Sequence, residues 1–358
     1  MKSPLLFSIF LLISFIVEAQ KYSNEFLYIG VSAAAQARGN AVVADVSDVT
    51  AGYWNPAGLV NIPTETGLQL GAMHAEWFAG VGKFDYAAMS VPFSDGKSRM
   101  GISVIRFGID NIPNTLSLFE DDGTVNYDNI IAFSAADYAF LGSYARQLKE
   151  TNNGIWSVGG NIKLVRRSIG SFANSWGFGL DLGAQYKSDS WRLGFVARDV
   201  TTTYNNWVTN FTEQERQVLA ITGNDIPISS VEITKPSLQL GVGYLLKISD
   251  LSITPEIDFI ANTDGQRNYL ISANPISVDL LGGIEIDYKN LVAVRAGVNQ
   301  FQRESDFERE NYLTARPSVG VGLHLSNLQI DYAFTDLGDS RNTFSHVISL
   351  TIDLKKKD

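Results

Sequence analysis

The sequence predicts an all-β protein: a 14-stranded antiparallel transmembrane β-barrel with an N-terminal hatch, or plug, inside it. Three observations lead to this prediction. An apolar leader marks the chain for export, apolar and polar side chains alternate with a period of two from about residue 65 onward, and the connections between the alternating blocks are short and long in turn.

Residues 1–19 have the build of a secretory signal peptide. Lys2 precedes an apolar run from Leu5 to Val17, and the predicted cleavage point lies between Ala19 and Gln20. The alternative is a membrane-anchoring helix, but the run is shorter than the ~20 residues that a spanning helix needs. No later segment has a long uncharged apolar run, so we expect any membrane crossing to be made by strands.

The composition excludes several classes of function. The 358 residues include no cysteine and carry a formal charge of −10, which argues against disulfides, Cys-based metal or redox sites and nucleic-acid binding. No nucleophile elbow, Walker loop or His-Glu-x-x-His run occurs, and the three histidines fall in separate predicted strands. We therefore expect no enzyme activity, no cofactor and no metal.

The alternating blocks predict the barrel wall, residues 63–354. In 251–259, Leu, Ile, Pro, Ile and Phe face one side while Ser, Thr, Glu and Asp face the other. A soluble β-sandwich is the alternative, but strands near ten residues fit the ~9–11 of a membrane-spanning strand better than the ~5–6 of a soluble one. The predicted strands are 65–75, 82–92, 98–107, 137–147, 153–165, 176–186, 190–199, 236–247, 250–260, 277–287, 290–300, 312–324, 326–334 and 343–354.

The connections predict how the barrel is oriented. Tight turns at one end alternate with longer connections at 108–136, 166–175, 200–235, 261–276, 299–311 and 335–342, and only the first hairpin, at 76–81, departs from the pattern. Outer-membrane barrels have short periplasmic turns and longer outer loops. We therefore expect a protein of the cell outer membrane, surrounded by its lipid, with both termini in the periplasm.

The alternation also assigns side chains to the two faces of the wall. Charged side chains of both signs fall on the inner face, which indicates a ladder of ion pairs or, alternatively, a substrate or ion site: Lys163, Asp181, Arg192, Arg198, Glu256, Asp258, Glu285, Asp287, Arg295 and Asp331. Aromatic side chains that would form an interfacial girdle fall on the outer face: Trp156, Trp191, Tyr186, Tyr244, Tyr288 and Tyr332.

Residues 20–62 do not alternate. They are rich in small and polar residues, which suits a segment that folds back into the lumen, although a loose periplasmic arm is the alternative. The runs Ala-Arg-Gly-Asn-Ala at 37–41 and Tyr-Trp-Asn-Pro-Ala-Gly-Leu at 53–59 resemble the hatch of the long-chain fatty-acid transporter (FadL-like) superfamily of outer-membrane barrels. This resemblance assigns Arg38, Gly39, Asn40, Asn55, Pro56 and Gly58 to the hatch.

Within that superfamily the chain most resembles the PorV/PorQ family of the Bacteroidetes type IX secretion system. Further matches at 112–115, 134–141 and 331–334 extend the resemblance over essentially the whole mature chain. It implies a barrel without enzyme activity that associates with the type IX translocon and with the C-terminal signal domains of secreted cargo.

Apolar side chains in the outer connections are the candidates for partner binding: Leu116, Leu118, Phe119, Tyr204, Trp207 and Phe211. Alternatively they cover the barrel mouth or pack loop against loop. A second function that the superfamily implies is a channel for hydrophobic small molecules, which predicts an apolar pocket beneath the loops and a gap in the wall. Pro255, Pro275 and Pro317 are candidate interruptions, because proline cannot donate a ladder hydrogen bond. A purely structural barrel is a third alternative.

Overall fold

The computed structural model describes residues 23–77, 80–120, 123–151, 153–225, 228–306, 309–336 and 344–355. The predicted signal peptide lies outside these residues. Fourteen strands form the wall, two of them in more than one segment: β1 Thr66–Trp77, β2 Gly82–Pro92, β3 Ser98–Asn114, β4 Ile131–Thr151, β5 Gly154–Ile169, β6 Ala173–Lys187, β7 Trp191–Arg198 and Thr203–Thr209, β8 Ser230–Thr234, Ser237–Tyr244 and Leu246–Ile248, β9 Leu251–Asn262, β10 Ser277–Tyr288, β11 Val292–Asp306, β12 Arg309–Leu325, β13 Leu328–Asp336 and β14 Phe344–Lys355.

The helices of the described residues are short and belong to the hatch and to the connections between strands. The hatch holds α1 (Ala33–Ala37), α2 (Ala51–Trp54) and the 3-10 helices Glu25–Tyr28 and Pro56–Asn61. The connections hold the 3-10 helix Tyr127–Asn129 and α3 (Glu213–Ile221). Within the described ranges, no helix has the length and apolar character to cross a bilayer.

The wall closes on itself through antiparallel pairing of β1 with β14. Gln69 lies opposite Asp353 at one end of this seam, and Ala75 lies opposite Val347 near the other. Every other strand pairs antiparallel with its neighbours in the chain, so no edge is left between β1 and β14. The predicted 14-stranded antiparallel barrel is confirmed.

Alternation along the strands produces the two faces of the wall. Ser237–Tyr244 in β8 alternates strictly between buried and exposed residues. Its exposed residues include Leu238, Leu240 and Val242, while the polar Gln239 points into the lumen and is buried. Apolar residues outside and small or polar residues inside are the pattern of a barrel wall in lipid.

The strands run further than the sequence predicts at the end that carries the longer connections, which we call the loop end. The prediction of a long connection at 166–175 is wrong, because β5 and β6 continue until only residues 170–172 join them. β4 likewise begins at Ile131 rather than at residue 137. In the extensions of β5 and β6 both faces hold polar side chains, including Arg166 and Arg167, so alternation there no longer marks a strand. At the opposite end, which we call the turn end, the connections are as short as predicted.

Two neighbouring strands, β7 and β8, are interrupted side by side, at the same level along the barrel axis. β7 stops at Arg198 and resumes at Thr203, and Asp199 and Thr202 between them have positive φ angles of 53° and 60°. β8 is broken beside this point at 235–236, where Pro236 supplies no N–H to a ladder.

Of the three prolines expected to interrupt strand pairing, Pro255 does so on its β8 side, where the ladder is broken between the pairs Gly243–Glu256 and Leu246–Ile253. On its β10 side Pro255 pairs with Ile284 without a shift in register. Pro317 pairs with Val298 of β11, and the register of that ladder shifts between Asn299 and Gln302, one pair further on. Pro275 lies in the connection between β9 and β10, outside the strands.

We expect a charged residue on the outer face to destabilise the barrel more strongly the deeper it lies in the bilayer. Leu240 lies opposite Phe195 and Phe259 near the middle of β8 and is 53% exposed. Leu240→Arg should lower the free energy of unfolding in lipid vesicles by ~2–4 kcal/mol, the usual cost at the bilayer midplane. Leu246→Arg at the turn end is the matched control and should cost ~0–1 kcal/mol. Equal costs in a urea titration would mean that this face does not lie in hydrocarbon.

Candidate functional site

The hatch fills the lumen and packs against the inner wall. α1 lies against β11, β12, β13 and β14, and the 3-10 helix at 56–61 lies against β3, β4, β5 and β6. Val31, Ala33, Ala51 and Leu59 of the hatch are fully buried. Because the small side chains predicted for residues 20–62 allow this close approach, the hatch and the wall share one core.

Glycines in the wall make room for the backbone of the hatch. A Cβ at Gly297 would lie 2.1 Å from the carbonyl carbon of Arg38 and from the nitrogen of Gly39. A Cβ at Gly159 would lie 2.6 Å from the carbonyl carbon of Pro56. Since the atoms they would meet are backbone atoms, no side-chain rotation could relieve the contact.

Arg38 anchors the hatch to β9. Its guanidinium lies 3.0 Å from Oε2 of Glu256 and 3.5 Å from Oδ2 of Asp45, and its side chain is 6% exposed. The other oxygen of Glu256 accepts a hydrogen bond from the backbone N–H of Ala44 at 2.7 Å. One wall carboxylate therefore holds both a side chain and the backbone of the hatch.

Asp258, two residues further along β9, binds the hatch backbone as well. Its Oδ2 accepts hydrogen bonds from the N–H groups of Val42 and Val43, at 3.1 and 3.2 Å. Gln239 of β8 donates to the same oxygen at 3.2 Å. We call Arg38, Asp45, Glu256 and Asp258 the clamp, because they join the middle of the hatch to the wall.

Further cations from the wall surround the hatch carboxylate of the clamp. Asp45 lies 3.4 Å from Nε of Arg192 and 3.9 Å from Nζ of Lys187. Burial alone would raise the pKa of Asp45, but Lys187, Arg38 and Arg192 together lower this pKa below its usual value. The carboxyl of Asp45 therefore stays ionised at neutral pH.

The other hatch residues predicted from the sequence also lie in the lumen. Gly39 donates its N–H to Oγ of Ser318 at 3.1 Å. Asn40 adopts a positive φ of 64° and donates to the carbonyl of Ile29 at 3.2 Å.

The second predicted run forms a turn that ties two parts of the hatch together. The Asn55 side chain donates to the carbonyls of Val43 and of Ala184 in β6, both at 3.0 Å, and caps the 3-10 helix that begins at Pro56. Gly58 lies against the carbonyl oxygen of Val46, where a Cβ would lie 2.4 Å away.

The inner charges form ion pairs, as one of the two sequence interpretations proposed. Arg295 bridges Glu285 at 2.5 Å and Asp331 at 2.7 Å, and Lys163 lies 3.0 Å from Asp181. Sequence reasoning placed Glu256 and Asp258 on this face but missed that they bind the hatch. No local sequence pattern distinguishes Glu256 and Asp258 from the other inward-facing acidic residues. Their contacts with the hatch could therefore not be predicted from the sequence.

The loop residues proposed for partner binding separate into three groups. Phe119 is 61% exposed, and Leu116 and Leu118 in the same connection are half-buried. Phe211 stacks on Phe172 with ring centroids 5.5 Å apart, which is the loop-packing alternative.

The assignment of Tyr204 and Trp207 to a loop is wrong, because both lie in the second segment of β7. Tyr204 is on the outer face of the wall. Trp207 points inward, donates to Glu232 at 2.8 Å and packs under the guanidinium of Arg167 at 5.1 Å. The strand resumes after its break, which the sequence pattern did not reveal.

Cavities lie beside the hatch at both ends of the lumen. One of about 500 Å³ opens at the turn end and has a largely polar lining that includes Asp48, Gln69, His324 and Asp353. Those beneath the loop end have volumes of about 120, 80 and 10 Å³. Among the residues with described positions, no cluster of His, Asp or Glu side chains could hold a metal ion.

Solved structures of outer-membrane transport barrels share this fold. The toluene transporter TodX of Pseudomonas putida superposes with a TM-score of 0.54 at 13% identity, over 91% of this chain and 98% of that one. The monoaromatic hydrocarbon channel CymD gives 0.55 at 14%, over 92% and 98%, and a FadL homologue of Pseudomonas aeruginosa gives 0.50 at 14%, over 90% and 98%. No protein-family model and no curated protein matches the sequence.

Proposed function

We propose that this chain is an outer-membrane barrel, closed by its own hatch, whose loop end binds a protein partner in type IX secretion. The observation that supports it is the contrast between the filled lumen and the apolar loop end. Large apolar side chains are exposed there although no bilayer would cover them: Phe119, Tyr127, Ile131, Ile221, Ile228 and Ile271. The sequence resemblance to the PorV/PorQ family supplies the class of partner, namely the translocon or the C-terminal domains of its cargo.

In the proposed orientation the turn end faces the periplasm and the loop end faces outward. Lys355, the last described residue of β14, lies at the turn end opposite Thr66. Ser23, the first described residue, lies inside the lumen in its loop-end half, hydrogen-bonded to Thr234 at 2.8 Å. The start of the mature chain before Ser23 lies outside the described residues.

Co-purification tests the proposal directly. The tagged protein is cross-linked in its native membrane, and its partners are identified by mass spectrometry. We expect translocon components or secreted cargo, and less of both with the double variant Phe119→Ser, Ile131→Ser. Glu213→Gln, an exposed change on α3, is the control. Recovery of neither class of partner would exclude the proposal.

A channel for small hydrophobic molecules is the second candidate, and the structural comparisons favour it more directly than they favour secretion. The similar structures include a toluene transporter and a monoaromatic hydrocarbon channel. The break in β7 and β8 lies beside the start of the hatch, where the Asn24 side chain donates to Thr234 at 2.8 Å.

Passage through this barrel would require the hatch to move. The cavities beneath the loop end, about 120, 80 and 10 Å³, are each smaller than the ~150 Å³ that holds benzene in a protein core. The cavity of about 500 Å³ at the turn end is lined mainly by polar groups. Uptake of radiolabelled toluene by cells with and without the protein separates the candidates, because equal uptake would exclude the channel.

A further inference from the structure

We infer that the connection 263–276, between β9 and β10, is a strap that holds the start of the hatch from the loop end and can release it separately from the clamp. Arg267 is the residue that makes this contact. Although it belongs to a loop-end connection, its side chain is only 6% exposed. It reaches into the lumen and lies beside the first turn of the hatch.

Arg267 contacts both the hatch and its own strap. Its Nη2 lies 3.2 Å from Oε1 of Glu25, and its guanidinium packs over the ring of Tyr28 at 5.6 Å. Within the strap it makes a two-nitrogen contact with Asp264, at 3.0 and 2.6 Å, and donates to the hydroxyl of Tyr269 at 3.3 Å. The bidentate contact fixes the guanidinium plane, so its position follows that of the strap.

The strap is itself tied to the start of β10 and to the break in β8. The N–H of Arg267 donates to Oγ of Ser277 at 2.9 Å, and Thr263 donates to the carbonyl of Pro236 at 2.6 Å. Its outward side exposes Ile271 and Ile276 to solvent at the loop end. A molecule that binds this surface would therefore act on the same short segment that holds Glu25.

The strap and the clamp hold different parts of the hatch. The clamp joins residues 38–45 to the middle of β9, whereas Arg267 of the strap contacts the 3-10 helix at 25–28. Glu25, Tyr28 and Tyr269 also line the cavity of about 80 Å³ beneath the strap. Lifting the strap would uncover this cavity and remove the hold of Arg267 on the first turn, which is also bound through Asn24 to Thr234 and through Leu27 to Tyr53. The clamp would still keep the lumen closed. Local opening of this kind needs only the loss of the few contacts that secure one segment.

Thiol labelling tests the strap in the full-length barrel, whose natural sequence has no cysteine. Leu27→Cys places a reporter in the first turn, and Val46→Cys places one near the clamp. The protein in lipid vesicles is treated with a charged, membrane-impermeant methanethiosulfonate. We expect Arg267→Ala to speed labelling at position 27 at least ~tenfold, because a bidentate charge-assisted contact no longer opposes local opening. Labelling at position 46 should stay unchanged.

Arg216→Ala on the exposed face of α3 is the matched control and should leave both rates unchanged. Arg267→Lys keeps the charge but loses the two-nitrogen contact, so an intermediate rate is expected, and it replaces the alanine variant if that one fails to fold. An unchanged rate at position 27 would overturn the inference, and so would equal acceleration at both positions, because the hatch would then move as one body. Neither outcome depends on a secretion partner, so the proposed function is tested separately.

Discussion

Arg38→Ala will open the barrel to ions. The substitution leaves Glu256 buried at 1% exposure without its guanidinium partner. Removal of one member of a buried ion pair costs ~3–5 kcal/mol, because the remaining charge stays uncompensated. We expect this cost to appear as weaker docking of the hatch and as a higher ionic conductance of single barrels in planar lipid bilayers.

A double-mutant cycle separates the ion pair from general damage. Arg38→Met combined with Glu256→Gln removes both charges, so it should conduct far less than Arg38→Ala alone. Arg216→Ala should behave like the parent, since that arginine lies on an exposed helix. A closed barrel with Arg38→Ala would show that the clamp does not hold the hatch.

Gly297→Ala will displace the hatch by steric exclusion alone. The added Cβ would lie 2.1 Å from two backbone atoms of the hatch, and β11 cannot shift without breaking its pairing with β10 and β12. Overpacking usually costs ~1–3 kcal/mol, and we expect the upper end here because only backbone atoms are in contact. The same conductance measurement should show openings without any change in charge.

Gly142→Ala is the matched control for this substitution. Gly142 also lies within a strand, but a Cβ there meets no atom within 4 Å. It should leave conductance and stability unchanged apart from the small effect of adding a methyl group in a strand. Equal behaviour of the two variants would mean that the hatch does not lie against Gly297.

The wall was predictable from the sequence because each strand between lipid and lumen must alternate. In β9, Leu251, Ile257 and Phe259 face outward and Glu256 and Asp258 face inward, and no other secondary structure fits that order. Outside the part of the wall that faces lipid, a strand no longer has to alternate between apolar and polar residues. The first residues of β4, beginning at Ile131, were therefore interpreted as a loop although their backbone is paired.

The contacts of the hatch were not predictable in the same way. The small and polar residues of the segment indicate that it can enter a lumen, and its two characteristic runs do lie there. However, Arg38 and Glu256 are separated by 218 positions, and their pairing depends on the closed shape of the barrel. Arg267 had no distinguishing pattern either, because an arginine in a polar connection usually remains in solvent.

The seam between β1 and β14 has a consequence for biogenesis. The hatch is synthesised before the wall and is joined directly to β1, while β14, which completes the ring, is synthesised after the other strands of the wall. Since the backbone of the hatch lies directly against Gly159 and Gly297 of the wall, we expect the hatch to act as a template around which the ring is sealed. The order in which the parts assemble would then follow their order in the sequence, with the hatch in place before β1 pairs with β14.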